Sequence, residues 1–229
     1  MGGAVGRRCY GSAVTPAAVV VLSFRLAAPS AEGGASAEPS RLDVAGVDAP
    51  AAAAREVSPP PDVVVPAVHG LALMTVMRAT ESVLWPDPFA RTQWFGARYE
   101  EAFTKPPVFD ARQPFMRWDG DPLVINVLGH GLFGSELYLR ARQCRLGWGG
   151  ALAFATATSA VWEYAFEANG VRPSAQDLVY TPLMGLALGE ARYLLHRAAG
   201  TIASSPTRSV VRAVLDPLGE LERAAGAPC

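Results

Sequence analysis

His130, set between two glycines, and Glu163, which follows the uncharged run 147–162, are the side chains of this sequence best equipped for chemistry. An imidazole and a carboxylate brought together away from water can serve as acid and base, because burial moves both pKa values out of their ordinary ranges. Thr156, Ser159, Glu163 and Glu167 follow at intervals of 3, 4 and 4, so they fall on one stripe of an otherwise apolar helix. Asn126, His130 and Tyr138 share a face upstream at multiples of four. The spacing predicts that these faces meet. His130 and Glu163 are then the candidate catalytic pair, and Asn126, Tyr138, Ser159, Glu167 and Glu190 complete a candidate polar centre.

Each member also has a structural role open to it. Glu167 lies within a turn of an expected helix end, where a carboxylate is ordinarily solvated. Asp177 stands three residues after Ser174 and reads as the third helical position of a capping box. Glu190 opens the charged stretch GEARYLLHR and can face water or pair with Arg192 or Arg197. Glu163 serves equally as a hydrogen-bond hub or as a base. A lone histidine on an apolar helix is more often a satisfied core residue. A metal site of the usual spacing needs HExxH or paired ExxH motifs. Neither occurs, so no metal and no cofactor are expected. The nucleophile elbow, the phosphate-binding loop and the dinucleotide fingerprint are absent as well.

The elements that must position these residues are helices. Val68, Leu71, Val76 and Leu84 recur with a helical period over 63–85, which predicts a helix over 66–83, and a second amphipathic helix ends near Lys105, with Phe89, Trp94 or Phe95, and Phe103 as aromatic anchors. A proline-interrupted, aromatic connector follows and reads as an ordered wrap. Asp121 as N-cap and Pro122 as first residue start a helix that runs to about Cys144. The turn Gly147–Gly150 leads into the helix bearing Glu163, which Asn169-Gly170 ends. Ser174 restarts the chain as a helix, which Pro182 should kink and which resumes to Gly200. Two short helices, 207–215 and 217–223, close the sequence. The fold expected is an all-α compact bundle with three closely packed central helices, the last kinked at Pro182.

With 50% hydrophobic and 18% charged residues and a mean hydropathy of +0.18, the chain is more apolar than an ordinary soluble domain, so protein or lipid must cover the surplus. A net charge of -1 and the lack of a basic stripe exclude nucleic acid as a partner. The uncharged runs 122–135, 147–162 and 178–189 are all shorter than the ~20 residues that cross a bilayer, although Gly185 and Gly189 form a GxxxG. These lengths favour a soluble or peripherally attached bundle over an integral one. Arg7 and Arg8, the apolar patch 17–24 and the small residues after it read as an export signal over 1–31. An Ala/Pro-rich tether over 32–61 follows, leaving 62–225 as the helical domain. Cys144 and Cys229 can form one disulfide or remain two incidental thiols; no cysteine spacing suggests a metal.

Trp118-Asp119, Asp121-Pro122, Asn126, Gly129-His130, Phe133-Gly134, Trp162-Glu163-Tyr164, Glu167, Pro173-Ser174, Asp177, Thr181-Pro182, Gly185 and Gly189-Glu190, in this order, resemble the bacterial family named domain of unknown function 3943. The resemblance covers roughly 106–190. That family often shows a proline after the histidine, where this chain has Gly131. A looser resemblance runs to VanZ-like and small periplasmic lipoprotein families, through the order His130, Glu163, Arg172, Ser174, Asp177, Gly185, Gly189. The resemblances imply an exported or envelope-associated protein, periplasmic or at a membrane face, and transfer no chemistry. Two functions are therefore expected as alternatives. One is a bundle whose polar centre fixes helix register while it engages an envelope lipid or membrane protein. The other is a hydrolase or transferase acting on an envelope lipid or glycan through Glu163 and His130.

Overall fold

The computed structural model describes residues 59–227 and Cys229. The expected export signal, and all of the tether but its last residues, lie outside the described residues. From Val64 onward the described chain is mainly helical apart from the connector 105–122, and among the described residues no β-strand forms; a single parallel bridge joins Val108 to Ser174.

Helix α1 (Val64–Leu84) starts where the Asp62 carboxylate accepts the N–H groups of Val64 and Val65, donors that a first helical turn otherwise leaves unpaired. Its buried face is Pro66, His69, Gly70, Met74 and Arg78. The apolar series Val68, Leu71, Val76 and Leu84 turns outward instead. Periodicity identified the helix but not its inner face, because small and polar residues make the contact. One helical turn (Pro86–Phe89) and a tight turn (Thr92–Trp94) lead into α2 (Phe95–Thr104). Of the expected anchors, Trp94 and Phe103 are exposed; Phe103 meets the Tyr164 ring at 5.5 Å, and Phe89 packs under the Arg78 guanidinium.

Three helices form the centre. Helix α3 (His130–Gln143) is preceded by a π turn, Ile125–Gly129; α4 (Trp148–Val161) is extended by a second, Trp162–Glu167; α5 (Ala175–Met184) passes through a third, Gly185–Gly189, and continues as α6 (Glu190–Ala199). Pro182 lies inside α5 without ending it, and the wide turn begins three residues later. The core between these helices is built on Phe133, Leu137, Tyr138, Ala151, Ala155 and Trp162. Burying a side chain such as Leu137 or Phe133 contributes roughly 1.5–3 kcal/mol.

α3 and α5 cross with their backbones in contact. A Cβ on Gly134 would lie 2.0 Å from the Thr181 carbonyl oxygen, and one on Gly185 2.9 Å from that of Gly134. Gly189 approaches the Ser135 carbonyl equally closely. The small residues of the GxxxG are thus spent on a contact within the bundle.

The chain end is fastened by charge and by a disulfide. Helices α7 (Ser205–Leu215) and α8 (Pro217–Ala224) meet at Asp216, whose carboxylate caps Gly219 and accepts from Gln143 and Arg223. Glu222 pairs with His69 and Arg140, tying α8 to α1 and α3. Cys229 is disulfide-bonded to Cys144, so the last residue is covalently joined to the end of α3.

A Gly134→Ala substitution is expected to cost at least about 3 kcal/mol, at the upper end of what overpacking a core costs, because the added methyl meets backbone. Gly149→Ala, which has open space around its Cβ position, is expected to be neutral or slightly stabilising as a helix substitution. Urea unfolding of the two variants against the parent checks both values.

Candidate functional site

The connector between α2 and α3 delivers the first residue of the site. Val108 donates its N–H to the Pro173 carbonyl and accepts from Ala175 N–H, and Trp118 N–H donates to Gln176 Oε1. Pinned in this way, the connector wraps against the start of α5 and places Asp119, half-buried, at the edge of the centre. Asp119 Oδ1 accepts from Asn126 Nδ2 at 2.8 Å and from the Asp121 N–H at 3.0 Å; Oδ2 accepts from Ser174 Oγ at 2.7 Å. Asp121 itself caps nothing: helical structure begins at Leu123, and the first-turn acceptor is the Pro122 carbonyl. The local turn was legible, but Asp119, two residues earlier, is the carboxylate that organises it.

Ser174 is the N-cap of α5 and accepts the Asp177 N–H. The reciprocal half of the expected capping box is missing. The Ser174 N–H donates instead to Glu163 Oε2 at 2.7 Å, which frees the Asp177 carboxylate to turn toward His130, with Oδ2 and Nε2 3.5 Å apart. His130 Nδ1 faces Thr181 Oγ1 at 3.1 Å. In the tautomer that donates Nδ1–H to Thr181, the Nε2 lone pair points at the carboxylates. One donor atom each of His130, Glu163 and Asp177 lie within 4.8 Å of one another, an arrangement able to hold a cation. Spacing rules could not find it, because the three donors come from three different helical segments rather than one.

The centre is almost dry. Glu163 and Asp177 are 1% exposed, His130 5% and Glu167 7%. Glu167 is therefore not a solvated helix end; the π turn Trp162–Glu167 carries both glutamates inward. Burial pushes Glu163 up to about 8 against the pull of the Ser174 N–H, and Asp119 adds repulsion. Burial, with the charge of Glu163 next, raises Glu167 well above the carboxylate range. Asp177 is pushed up to about 9 by burial, then by Glu163 and Asp119, and Asp121 to about 6 by burial and then Asp119. Burial also raises Asp119, but hydrogen bonds from Asp121, Ser174, Asn126 and Asp177 outweigh it and hold the group below its ordinary value. His130 is lowered to about 4 by burial and so is neutral. At neutral pH Glu163, Glu167 and Asp177 are protonated, while Asp119 is ionised and Asp121 largely so.

Other expected members lie elsewhere. Ser159 is buried beside the group and donates to the Asp177 carbonyl. Thr156 is exposed and bonded to Leu152, so it leaves the stripe. Glu190 pairs with Arg142, not with Arg192 or Arg197, and its Arg142 hydrogen bonds hold it below its ordinary value. Tyr138 belongs with Glu190: its hydroxyl is raised to about 12 by burial and by that carboxylate. Gly185 and Gly189 act through the α3–α5 crossing, and Pro182 lies buried within α5. Asp119, Thr181 and Glu81 were not among the residues picked out as the polar centre. Glu81 enters from α1, where burial raises it to about 7.

A π turn occurs immediately before His130, around Glu163 and Glu167, and after Thr181. Such turns make up well under 1% of ordinary structure and cluster at functional sites, because the inserted residue re-aims side chains. All three central helices carry one.

The family model described as Domain of unknown function (DUF3943) matches residues 115–218. It begins in the connector that carries Asp119 and runs past α7 into the start of α8, later at both ends than the motif order suggested. No curated protein and no solved structure matches the chain.

The raised acids set a pH dependence. Their unfolded forms titrate near 4 to 4.5 and their folded forms between about 6 and 9 for Asp121, Glu163 and Asp177. In that window the folded state holds more protons than the unfolded chain, so their contribution is in full below about 4.5 and is lost as pH rises. In the presence of a chelator, the unfolding temperature is expected to fall steadily from pH 5 to pH 9. Glu163→Gln, neutral at every pH, is expected to flatten part of that slope in thermal scans across a buffer series.

Proposed function

We propose that this protein, which carries a DUF3943 domain, works in the cell envelope as a helical bundle that binds the hydrocarbon of an envelope lipid on its outer face, with the acid-rich centre holding its helices in register. The observation that carries this reading is a pair of adjoining apolar grooves along α1 and α3. One, of about 250 Å³, is lined by Val76, Met77, Leu84, Trp85 and Ile125 and reaches His130. The other, of about 650 Å³, is lined by Leu73, Met77, Leu132, Leu188, Val214 and Leu218. Met77 and Gly129 line both, so together they offer a path for an extended chain. Leu71, Leu128 and Leu183 are among further large apolar side chains exposed on the described surface.

No helix among the described residues is long and apolar enough to cross a membrane, which favours lipid bound at a surface over spanning. The Cys144–Cys229 disulfide supports an oxidising compartment, where such bonds persist, and agrees with the export signal read over 1–31. The alternative, a hydrolase or transferase of an envelope lipid or glycan, is favoured by one observation: His130 lines the smaller groove, with Glu163 beside it. His130, neutral and with its Nε2 lone pair free, would take the proton from the attacking hydroxyl, and Glu163, raised to about 8 and so protonated at neutral pH, would give its proton to the leaving group.

Flotation of the purified protein with phosphatidylethanolamine/phosphatidylglycerol vesicles tests the lipid reading. Wild type is expected to float with the vesicles. Val76→Glu and Leu132→Glu, both at exposed positions, are expected to bind at least about tenfold less tightly, a loss of roughly 1.4 kcal/mol. Equal flotation of all three proteins, or none by wild type, rejects the grooves as the binding surface. For the alternative, Glu163→Gln is expected to abolish turnover of a fluorogenic lipid ester or glycoside while near-ultraviolet circular dichroism stays native. Unchanged turnover would exclude Glu163 as the acid.

A further inference from the structure

We infer that His130, Glu163 and Asp177 form a binding site for one divalent transition-metal ion of the Zn²⁺ or Mn²⁺ class, at the point where α3, the π turn after α4, and α5 converge. The inference is independent of the lipid reading, which needs only the outer grooves, and adds a ligand at the centre that neither proposed function requires.

Four observations carry it. The donors are an imidazole nitrogen and two carboxylate oxygens, a mixed set that suits borderline ions better than Ca²⁺ or Mg²⁺, which prefer all-oxygen shells. Their geometry is close to that of a loaded site. Two ligand atoms on one tetrahedral ion with bonds of about 2.1 Å lie about 3.4 Å apart, and His130 Nε2 and Asp177 Oδ2 are 3.5 Å apart. All three donor atoms lie within 4.8 Å of one another, so a side-chain movement of no more than about 1.4 Å brings Glu163 onto the same ion.

Glu163 supplies the observation that an acidic cluster alone does not. It is 1% exposed, its Oε2 is held by the Ser174 N–H, and its Oε1 is buried with no hydrogen-bond partner. A bare carboxylate oxygen in a dry site costs several kcal/mol unless a proton or a cation satisfies it. Among the described residues no Lys or Arg forms an ion pair with Asp119, Glu163, Glu167 or Asp177; Arg78 pairs with Glu81 at 3.9 Å and spends the rest of its guanidinium on the carbonyls of Phe166 and Phe89, on Ser82 and on Asn169.

The outer shell is also of the kind that metal sites carry. Thr181 Oγ1 fixes the His130 ring through Nδ1, and Gln176 Nε2 lies 3.4 Å from Asp177 Oδ1. Ser174, itself hydrogen-bonded to Asp119, holds Glu163. Such partners orient ligands and set their basicity. His130 also lines the smaller apolar groove, so one of the three ligands borders the surface.

The test is calorimetric titration of full-length, chelator-stripped protein with ZnCl₂ and, separately, MnCl₂, alongside thermal unfolding and metal analysis of protein purified without chelator. One equivalent is expected to bind with micromolar or tighter affinity and to raise the unfolding temperature. Asp177→Asn and Glu163→Gln are each expected to weaken binding tenfold or more. His196→Gln, in the C-terminal ion-pair network, is expected to bind as wild type does. Absence of binding by wild type for both ions overturns the site, as does binding that survives unchanged in Asp177→Asn and Glu163→Gln. If Glu163→Gln does not fold, wild type and Asp177→Asn decide the matter.

Discussion

The contact between the backbones of α3 and α5 is the constraint on which the rest of this molecule depends. Gly134 leaves no side chain between its helix and the Thr181 carbonyl, so the two axes approach as closely as helices can. That approach fixes the height of Thr181 against His130, four residues before Gly134, and therefore the orientation of the ring. It also fixes the start of α5, from which Ser174 and Asp177 reach into the centre. One residue type at one position thus couples the packing of the bundle to the geometry of its polar group.

That group is costly to keep. Carboxylates removed from water favour their neutral forms, and the raised pKa values of Glu163, Glu167 and Asp177 express that cost. The protein does not answer it with salt bridges, although it uses them freely at the chain end, where His69, Arg140, Arg212 and Arg223 meet Asp216, Glu220 and Glu222. The contrast between a charge-compensated end and an uncompensated centre shows that the composition allowed pairing and that the centre does without it. Three wide turns, one on each central helix, aim the side chains there, and π turns are unfavourable enough to require a compensating contact.

Much of the fold was legible because its signals are local. Apolar periodicity, Ser174 as a cap, Gly and Asn at helix ends, and Pro217 at a first turn each act within a few residues, and the helices begin and end close to where these signals place them. Sidedness was less legible. In α1 the apolar series Val68, Leu71, Val76 and Leu84 faces out, while His69, Gly70 and Arg78 face in, because the bundle needs small and charged residues at that contact and leaves the apolar ones for another surface. The wide turns escaped notice for a related reason: an α-helix and a π turn share a sequence pattern, and the extra residue is forced by packing.

The sequence by itself determined that the chain is helical, that three of its helices are rich enough in small residues to pack closely, and that His130 and Glu163 are unusual in their surroundings. These follow from steric preference and from the free energy of burying apolar surface, both readable residue by residue. Only the tertiary structure decided which acids join the histidine. Asp177 left its capping role because Glu163 took the Ser174 N–H, Glu167 turned inward on a π turn, Asp119 arrived from a connector, and Glu190 was drawn off by Arg142. Each of these outcomes is a competition between partners far apart in sequence. A carboxylate's partner is set by which groups the packed helices bring within about 3 Å, and no local pattern carries that information.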